Sequence, residues 1–443
     1  MVKFVPAARA VIAASALAVG ATTAPAAIPA AVAHLSAVRT SAAPPSVTRA
    51  STTRGSTART SAVAGVPVDA RASAAGDDPV PRTGPIFNSP VSGTAKQDAI
   101  STRVARLIAG TPKGSRIAIA MYHFSSTDTA AQLVAAAKRH VSVQVVLDHE
   151  STAYAAFKRL KRGLGTDTKK DSWVVVCDED RGCIGPEFNH NKFFLFSTTG
   201  GAQDMVVQTS ANATDGARDT QWNDALVLQD PAVYAAYLSY FQDLVAQHHK
   251  LDYHRTVQAG RYRLDFFPWA KGDPISQALD QVSCTGGTRI RLSLGHFTWG
   301  PIARRLWKLD DAGCRVQVVF DIVGPKTLRS LVKKGGRHGG PETRYLTEGG
   351  RTTYAHSKYL LIDGQYQGRP QKVVFTGSPN YTTVGFHGHD EAMITVADPR
   401  LEQEYAGNFD AVFKHGHTVR SADSVPDAVL EPPDPEDANH SRE

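Results

Sequence analysis

The stretch that decides the fold is "GTRIRLSLGHFTW" at residues 287–299, because a close copy of it, "GSRIAIAMYHFSS", lies at residues 114–126. A second pair of matching stretches follows these two: "SVQVVLD" at 142–148 corresponds to "RVQVVFD" at 315–321. Both pairs are separated by 173 residues (287 − 114 and 315 − 142). The equal offset indicates an internal duplication, which has to be sought before any isolated motif is interpreted.

Each copy follows the same order of elements: an extended opening, a helix, an apolar strand ending in histidine, a second helix and a strand ending in aspartate. The second helices, "TAAQLVAAAKRH" and "PIARRLWKLDDAG", carry apolar residues at spacings of three and four. Strands that alternate with helices predict an α/β fold with a largely parallel or mixed sheet in each half. We therefore expect two similar lobes of domain size, at residues 84–257 and 258–420.

The two ends of the chain differ in composition from this duplicated core. Residues 1–33 have the pattern of an export signal, with Lys3 and Arg9 before an Ala/Val/Leu-rich run and small-residue cleavage sites. Residues 34–83 are rich in Ser, Thr, Ala, Arg and Pro, and residues 421–443 are acidic. Neither of these two segments shows a periodic apolar face, so we expect a secreted protein with a disordered linker and a disordered tail.

Of the 443 residues, 42% are apolar and 21% are charged, a composition typical of a globular protein. The charge is distributed unevenly along the chain. The whole chain has a formal net charge of +7. Residues 1–83 carry +5 and residues 421–443 carry −6, so residues 84–420 carry +8 (7 − 5 + 6). A positive core suits an anionic partner such as a membrane surface or a nucleic acid, although ordinary solubility charge has the same signature.

The four cysteines form an even set, which in an exported chain is typical of disulfides. Cys177 and Cys183 flank the polar loop "DEDRG", while Cys284 and Cys314 each precede a predicted strand. We predict the pairs 177–183 and 284–314; four cysteines allow three pairings, and unpaired thiols remain the alternative. No close Cys-x-x-Cys pair exists, so the cysteines do not indicate a zinc site.

Both halves carry a histidine and a lysine one residue apart, within an otherwise apolar run. "FNHNKFFLFS" (188–197) corresponds to "YAHSKYLLID" (354–363). The aligned positions are His190 with His356 and Lys192 with Lys358. On a strand, residues i and i+2 point to the same face, so each motif presents an imidazole beside an ammonium group.

A Ser-x-Asn motif and then an acidic residue follow in each half. The strands in "VVQTSAN" (206–212) and "VVFTGSPN" (373–380) end in these motifs, with Ser210, Asn212, Ser378 and Asn380. Asp224 in "WNDALVL" and Glu391 in "HDEAMIT" stand before later apolar strands. We expect these two carboxylates to orient the imidazoles through the second ring nitrogen.

Together these side chains favour chemistry on a phosphate diester, because they are rich in hydrogen-bond donors and poor in acceptors. One histidine could attack phosphorus while the other protonates the leaving oxygen. Lysines and asparagines supply the electrostatic stabilisation, so we expect no metal and no cofactor. A single His-x-Lys is usually a polar strand edge and a single Ser-x-Asn a turn, but two ordered copies of both favour catalysis.

The sequence resembles the phospholipase D superfamily, whose signature is His-x-Lys-x4-Asp followed by Gly-Ser-x-Asn, usually twice per chain. The second half matches this signature fully, with His356, Lys358, Asp363, Gly377, Ser378 and Asn380. The first half departs from it twice, because Ser197 stands at the Asp position and Thr209 at the Gly position. The resemblance covers roughly residues 84–417.

The resemblance implies a bilobal fold with pseudo-twofold symmetry, an active site at the lobe interface and a phosphohistidine intermediate. It implies that His190 is the nucleophile and that His356 acts first as acid and then as base. Asp363 would support the second motif. Ser197 cannot polarise a ring as a carboxylate would, but its presence is tolerable if the family aspartate mainly stabilises the lobe.

Secretion, a positive core and two lobes favour a monomeric phospholipase D that hydrolyses, or transfers, the head-group side of phospholipids at a membrane surface. A secreted, metal-independent nuclease of the same superfamily is the closest alternative, because a positive core also binds a nucleic acid backbone. A phosphate-binding protein with a degraded first motif is a third possibility, supported by the incomplete first signature.

Overall fold

The computed structural model describes residues 81–346 and 353–431, and the structural statements below concern these residues. The predicted signal peptide, nearly all of the predicted linker and the tail after residue 431 lie outside them.

The first half contains eight strands and six α-helices among the described residues. The strands are β1 (Gly84–Phe87), β2 (Arg116–Met121), β3 (Ser142–Leu147), β4 (Trp173–Val176), β5 (Lys192–Thr199), β6 (Ala202–Thr209), β7 (Gln221–Trp222) and β8 (Asp224–Gln229). The helices are α1 (Gly93–Gln97), α2 (Ala99–Ala109), α3 (Thr127–Lys138), α4 (Ala155–Leu164), α5 (Asp215–Asp219) and α6 (Pro231–Ala246). A 3-10 helix spans His149–Ala153.

The second half, over its described part, contains eleven strands and five α-helices. The strands are β9 (Arg255–Ala259), β10 (Tyr262–Phe266), β11 (Val282–Ser283), β12 (Arg289–Phe297), β13 (Arg315–Val323), β14 (Glu342–Tyr345), β15 (Tyr354–Ala355), β16 (Tyr359–Tyr366), β17 (Arg369–Gly377), β18 (Ala392–Ala397) and β19 (His417–Thr418). The helices are α7 (Pro274–Leu279), α8 (Gly300–Asp311), α9 (Pro325–Leu331), α10 (Thr383–His387) and α11 (Pro399–His415).

The two large sheets repeat one topology, as the duplication predicts. The first has seven strands in the order β1-β8-β6-β5-β2-β3-β4. The second contains the matching path β10-β18-β17-β16-β12-β13-β14, extended by β9 at one end and β19 at the other. In both sheets the three strands that end the matching path are parallel, and the other pairs along it are antiparallel. The predicted mixed α/β architecture with a lobe per half is confirmed.

Alternation along the strands explains how the sheets pack. In β2, Ile117 and Ile119 face the outer core of the first lobe, while Ala118 and Ala120 face a core shared by both lobes. Helices α6 and α11 contribute large aromatic residues to the same shared core. Because successive strand residues point to opposite faces, each sheet is covered on both sides, and the shared core joins the two lobes.

The C-terminal segment differs from the expectation of disorder beginning at Ser421. Two 3-10 helices, Ala422–Ser424 and Asp427–Val429, follow β19. Val425 and Val429 are buried in the outer core of the second lobe, and the Glu431 N–H donates to the Val323 carbonyl at 3.0 Å. The acidic composition of this segment led to the expectation of disorder. Val425 and Val429, four residues apart, pack into the core and order residues 421–431.

Strand β9 begins at Arg255 and pairs with β10, so the second sheet starts slightly before the expected lobe boundary at residue 258. Across the described residues no helix combines the length and the apolar character that crossing a bilayer requires. Both predicted disulfides, Cys177–Cys183 and Cys284–Cys314, are present.

The two disulfides should contribute unequally to stability. They close sequence separations of 6 and 30 residues, and the chain-entropy relation assigns about 2 kcal/mol to the shorter loop and about 3.5 kcal/mol to the longer one. The double variant Cys284→Ser/Cys314→Ser should therefore lose more free energy of unfolding than Cys177→Ser/Cys183→Ser in chemical denaturation.

Peptide mass spectrometry without reduction provides the matched check of pairing. The wild-type protein should yield the linked peptides 177–183 and 284–314. Recovery of four alkylatable thiols from natively purified protein would contradict the pairing.

Candidate active site

Both His-x-Lys motifs lie where the chain enters a central strand, just before β5 and β16. Each lysine donates a hydrogen bond to the carbonyl of its own motif histidine, Lys192 Nζ at 2.6 Å and Lys358 Nζ at 2.7 Å. Both lysines are buried. An ammonium group has three protons, so two on each lysine remain for a bound anion.

His190 is tied to the opposite lobe. Its Nδ1 lies 2.7 Å from Oε1 of Glu391, which is fully buried at the entry to β18. Burial alone would raise the pKa of Glu391, but the charge and hydrogen bond of His190, together with nearby Lys192, lower this pKa to about 2. A carboxylate that stays ionised accepts a hydrogen bond from His190 Nδ1–H, which leaves the lone pair of the neutral ring on Nε2.

A second contact between the lobes holds this pair in place. The carboxylate of Asp390 accepts hydrogen bonds from the N–H groups of Ile184 (3.1 Å) and Gly185 (2.6 Å). A Cβ on Gly185 would lie 2.2 Å from the Gly388 carbonyl oxygen, so only glycine permits this approach. The loop that leads to His190 is thereby fixed against the residue that precedes Glu391. Burial raises the pKa of Asp390 to about 7.

His356 has a different partner from the one expected. Its Nδ1 lies 2.8 Å from Oδ1 of Asn223. The Asn223 amide nitrogen donates to the Ala217 carbonyl at 2.9 Å, which orients Oδ1 towards the histidine. His356 Nδ1–H therefore donates to a neutral amide oxygen, whereas the corresponding proton of His190 is held by a carboxylate.

The expectation that Asp224 orients a histidine is wrong. Its Oδ2 accepts hydrogen bonds from Thr376 Oγ1 (2.6 Å) and Tyr405 OH (3.0 Å) of the second lobe. Asp224 thus joins the lobes, and its negative charge favours the protonated form of Lys358.

Strand register explains the error of one residue. The backbone N–H of Asp224 donates to Ser210 Oγ, as that of Ala392 donates to Ser378 Oγ. The counterpart of Asp224 is therefore Ala392, and the counterpart of Glu391 is Asn223. Asn223 and Glu391 each lie 13 residues after the serine of their own motif (223 − 210 and 391 − 378). This equal spacing identifies the pair, whereas an alignment of the acidic residues misses it.

In each Ser-x-Asn motif the serine has a structural role and the asparagine is only half-buried. The serine hydroxyls, which were expected to bind phosphate, are fully buried and hydrogen-bonded to the start of β8 and β18. Asn212 and Asn380 are half-buried, and their Oδ1 atoms each accept a backbone N–H at 3.3 Å, from His123 and His296. This contact leaves each amide NH2 as a donor for a ligand.

Asp363 and its counterpart Ser197 lie at the far end of their strands and contact no histidine. The Asp363 carboxylate accepts from Lys372 Nζ at 3.0 Å, and Ser197 Oγ accepts from the Arg116 N–H at 2.8 Å. Both therefore stabilise a sheet, so the absence of an aspartate in the first motif removes no contact to a motif histidine.

Thr209 is accommodated by a local difference between the lobes. A Cβ on Gly377 would lie 2.3 Å from the Ala392 carbonyl oxygen. In the first lobe, Thr209 Oγ1 donates to the corresponding carbonyl, that of Asp224, at 2.8 Å. The hydrogen bond of Thr209 thus takes the place of the close packing of Gly377 against the neighbouring strand, and the backbone of the motif is preserved.

Burial and mutual repulsion set the electrostatics of the four motif side chains. Burial lowers the pKa of His190, against the opposing effect of Glu391. Burial and the positive charges of Lys358 and Lys192 lower the pKa of His356. Burial also lowers the pKa of Lys192, and it lowers that of Lys358 to about 8. A site with this concentration of buried donors and positive charge is complementary to an anion.

Tyr122 makes the pseudo-symmetric site unequal and was not identified from the sequence as a site residue. Its ring centroid lies 4.9 Å from that of His190 and 5.2 Å from Lys192 Nζ. The aligned position in the second half is Gly295, where a Cβ would lie 3.3 Å from Lys358 Nζ. The first motif is therefore covered by an aromatic ring, whereas the second has no side chain at the corresponding position.

Residues 106–245 and residues 279–413 both match a family model described as "Cardiolipin synthase, PLD-like domain". The chain belongs to this phospholipase D-like family. The two matches together cover more than half of the chain and fall on the two halves of the duplication. No curated protein matches the chain.

Solved structures share the fold at low sequence identity. Phosphatidylserine synthase from Haemophilus influenzae Rd KW20 is 12% identical with a TM-score of 0.54, and the match covers 74% of this chain and 87% of that chain. Polyphosphate kinase from Porphyromonas gingivalis is 14% identical with a TM-score of 0.51, covering 74% of this chain and 49% of that chain. The chain thus spans about half the length of that kinase.

The Glu391→Gln variant should distinguish a role of Glu391 in positioning His190 from a role in the stability of the fold. A glutamine can present its NH2 to His190 and so favour the wrong tautomer, a fault that costs about 10⁴-fold in kcat when it is introduced into a serine protease triad. We expect kcat on a phosphate diester to fall at least about 10²-fold, with a smaller change in KM and an unchanged melting temperature.

The matched control is Asp363→Asn in the second motif. This variant loses the ion pair with Lys372 but no contact to a histidine, so it should retain activity while its melting temperature falls slightly. Equal loss of kcat in both variants would contradict the separate roles assigned to the two carboxylates.

Proposed function

We propose that this chain is a secreted phosphodiesterase of the phospholipase D type, which cleaves the head-group side of phospholipids through a phosphohistidine on His190. The observation that carries the proposal is the pair of contacts across the lobes, His190 with Glu391 and His356 with Asn223. Each fixes the Nδ1 proton of one ring, so that both Nε2 atoms are available for chemistry in the same donor-rich site.

In the first step, the lone pair of His190 Nε2 attacks phosphorus and the bond from phosphorus to the leaving oxygen breaks. His356, protonated on both nitrogens, gives its Nε2 proton to that oxygen. Glu391 stabilises the positive charge that His190 acquires when it is bonded to phosphorus. The neutral Asn223 gives His356 less stabilisation as a cation, which makes it the better proton donor.

In the second step, neutral His356 removes a proton from water, or from an alcohol, which attacks phosphorus. The bond from phosphorus to His190 Nε2 breaks, and the ring returns to its neutral form. Water as acceptor gives hydrolysis, and an alcohol gives transfer of the phosphatidyl group. The same residue serves as acid and then as base, as microscopic reversibility requires.

The lysines and asparagines stabilise the substrate phosphate and the more negative transition state. Lys192, Lys358, Asn212 and Asn380 together offer donors that remain after their internal hydrogen bonds are counted. A bound phosphate offsets the positive charges that lower the pKa of His356, so substrate binding itself favours the protonated, acid form of this ring.

One observation favours a phospholipid over a nucleic acid as the substrate: the family model is described by the name of cardiolipin synthase. The export-signal pattern and the core charge of +8 suit either substrate. Two disulfides are compatible with an exported protein. A nuclease of the same superfamily would use the same catalytic residues, so the substrate assay decides between the two.

The test compares phosphatidylcholine vesicles and plasmid DNA as substrates in excess EDTA. We expect choline release from the vesicles at the same rate as without chelator, and intact plasmid. Plasmid nicking without choline release would identify a nuclease. Phosphate binding without turnover of either substrate would support the binding-protein alternative, and loss of activity in EDTA would contradict the metal-independent mechanism.

The two histidines should respond differently to the leaving group. His190→Ala should lose turnover on every diester, because no covalent intermediate can form. In the first step, measured as the initial burst of leaving-group release, His356→Ala should lose about 10²- to 10⁴-fold on a substrate with an alkoxide leaving group, the usual value of general acid catalysis, and much less on an activated phenolate. Equal losses in His356→Ala on both substrates would contradict its role as the acid.

A further inference from the structure

A cluster of three buried side chains lies behind the first motif and includes one residue that the proposed reaction does not use. His389 lies beside His190, with ring centroids 5.2 Å apart, and its Nδ1 is 3.5 Å from Oε1 of Glu391. One ligand atom from each of these three residues falls within 4.8 Å of the other two. All three side chains are buried.

Two atoms of this cluster lack the partner that burial demands. Within the described part of the chain, Glu391 Oε2 is buried without a hydrogen-bond partner, and His389 Nδ1 makes only the 3.5 Å contact with Glu391 Oε1. An unpaired buried nitrogen or oxygen is costly, typically about 1 to 3 kcal/mol. His389 and Glu391 both lie beside His190, so a cation bound among the three residues could take His389 Nδ1 and an oxygen of the Glu391 carboxylate as ligands.

We propose that His190, His389 and Glu391 form an inhibitory site for Zn²⁺ or a similar late transition metal. Two imidazole nitrogens and one carboxylate oxygen are a ligand set that zinc accepts, with a fourth position left for water. Tetrahedral zinc with bonds of about 2.0 to 2.1 Å places its ligand atoms about 3.4 Å apart. The separations of 2.7 Å and 3.5 Å from Glu391 Oε1 bracket this value. Calcium and magnesium prefer oxygen ligands and fit poorly.

The bound metal would inhibit because it takes the nitrogen that orients the nucleophile. Zinc on Nδ1 of a neutral His190 leaves the single ring proton on Nε2. That nitrogen then has no lone pair for attack on phosphorus, and Glu391 is removed from its hydrogen bond at the same time. The metal site itself stands independently of the substrate, and only the inhibition rests on the proposed function.

The first arm of the test measures binding alone. The full chain, treated with EDTA and desalted, is titrated with ZnCl2 by calorimetry and with CoCl2 by visible absorption. We expect one site, with a cobalt absorption band of the tetrahedral type. Loss of even an outer-shell partner typically weakens a metal site by about 10- to 100-fold, so His389→Gln should weaken zinc binding by more than about 10-fold.

The matched control is His387→Gln in the same loop, whose Nδ1 lies 2.7 Å from the Trp269 carbonyl rather than in the cluster. This variant should bind zinc like the wild type. His190→Ala, although inactive, should bind zinc weakly and serves as the second variant if His389→Gln fails to fold. Zinc binding that is unchanged in His389→Gln and His190→Ala, or absent from the wild type, would overturn the site.

The second arm measures turnover of a diester with an activated phenolate leaving group. Zinc should abolish the activity of the wild type and of His387→Gln, and EDTA should restore it, while His389→Gln should resist zinc. Equal zinc sensitivity of His389→Gln and the wild type would overturn the inhibitory role. If the chain turns over no diester, the proposed function fails, but the binding arm still decides the metal site.

Discussion

The hydrogen bond between His190 and Glu391 is the interaction on which the site depends, because it joins the two lobes through residues that lie 201 positions apart in the sequence. Neither lobe alone contains a complete orienting pair. His356 depends in the same way on Asn223, and Asp390 fastens the loop that carries His190. The shared hydrophobic core between the sheets is thus the structural requirement for the chemistry, because it holds each ring against its partner from the other half.

Duplication supplies two equivalent sets of side chains, and small departures from symmetry make them chemically unequal. A carboxylate stabilises positive charge on His190, whereas an amide orients His356 without a comparable effect. Tyr122 covers the first motif, whereas Gly295 places no side chain against the second. In the proposed mechanism, these differences favour His190 for the covalent step and His356 for the proton transfers, in a frame that would otherwise leave the two roles interchangeable.

Much of this arrangement could be predicted from the sequence, because it depends on patterns that repeat. The equal offset of the repeats predicted the matching sheets, and the cysteine positions predicted both disulfides. The exact partners could not be predicted. The acidic Asp224 was expected to orient a histidine, but its neighbour Asn223 contacts His356 instead. A shift of one residue along a strand changes the face on which a side chain lies. The serine hydroxyls were expected to bind phosphate because burial and backbone contacts cannot be read from the motif alone. Residues 421–431 were expected to be disordered because their acidic composition outweighed two buried valines.

The most direct test of the central claim is to identify the residue that becomes bonded to phosphorus. In the His356→Ala variant, His190 can still attack a diester with an activated phenolate leaving group. The variant cannot activate water, so the covalent intermediate on His190 should accumulate. Rapid denaturation at alkaline pH, followed by peptide mass spectrometry, should find the adduct on the peptide that contains His190 ("FNHNK"). An adduct on the peptide "YAHSK" in the corresponding His190→Ala variant, or no adduct in either variant, would contradict the account.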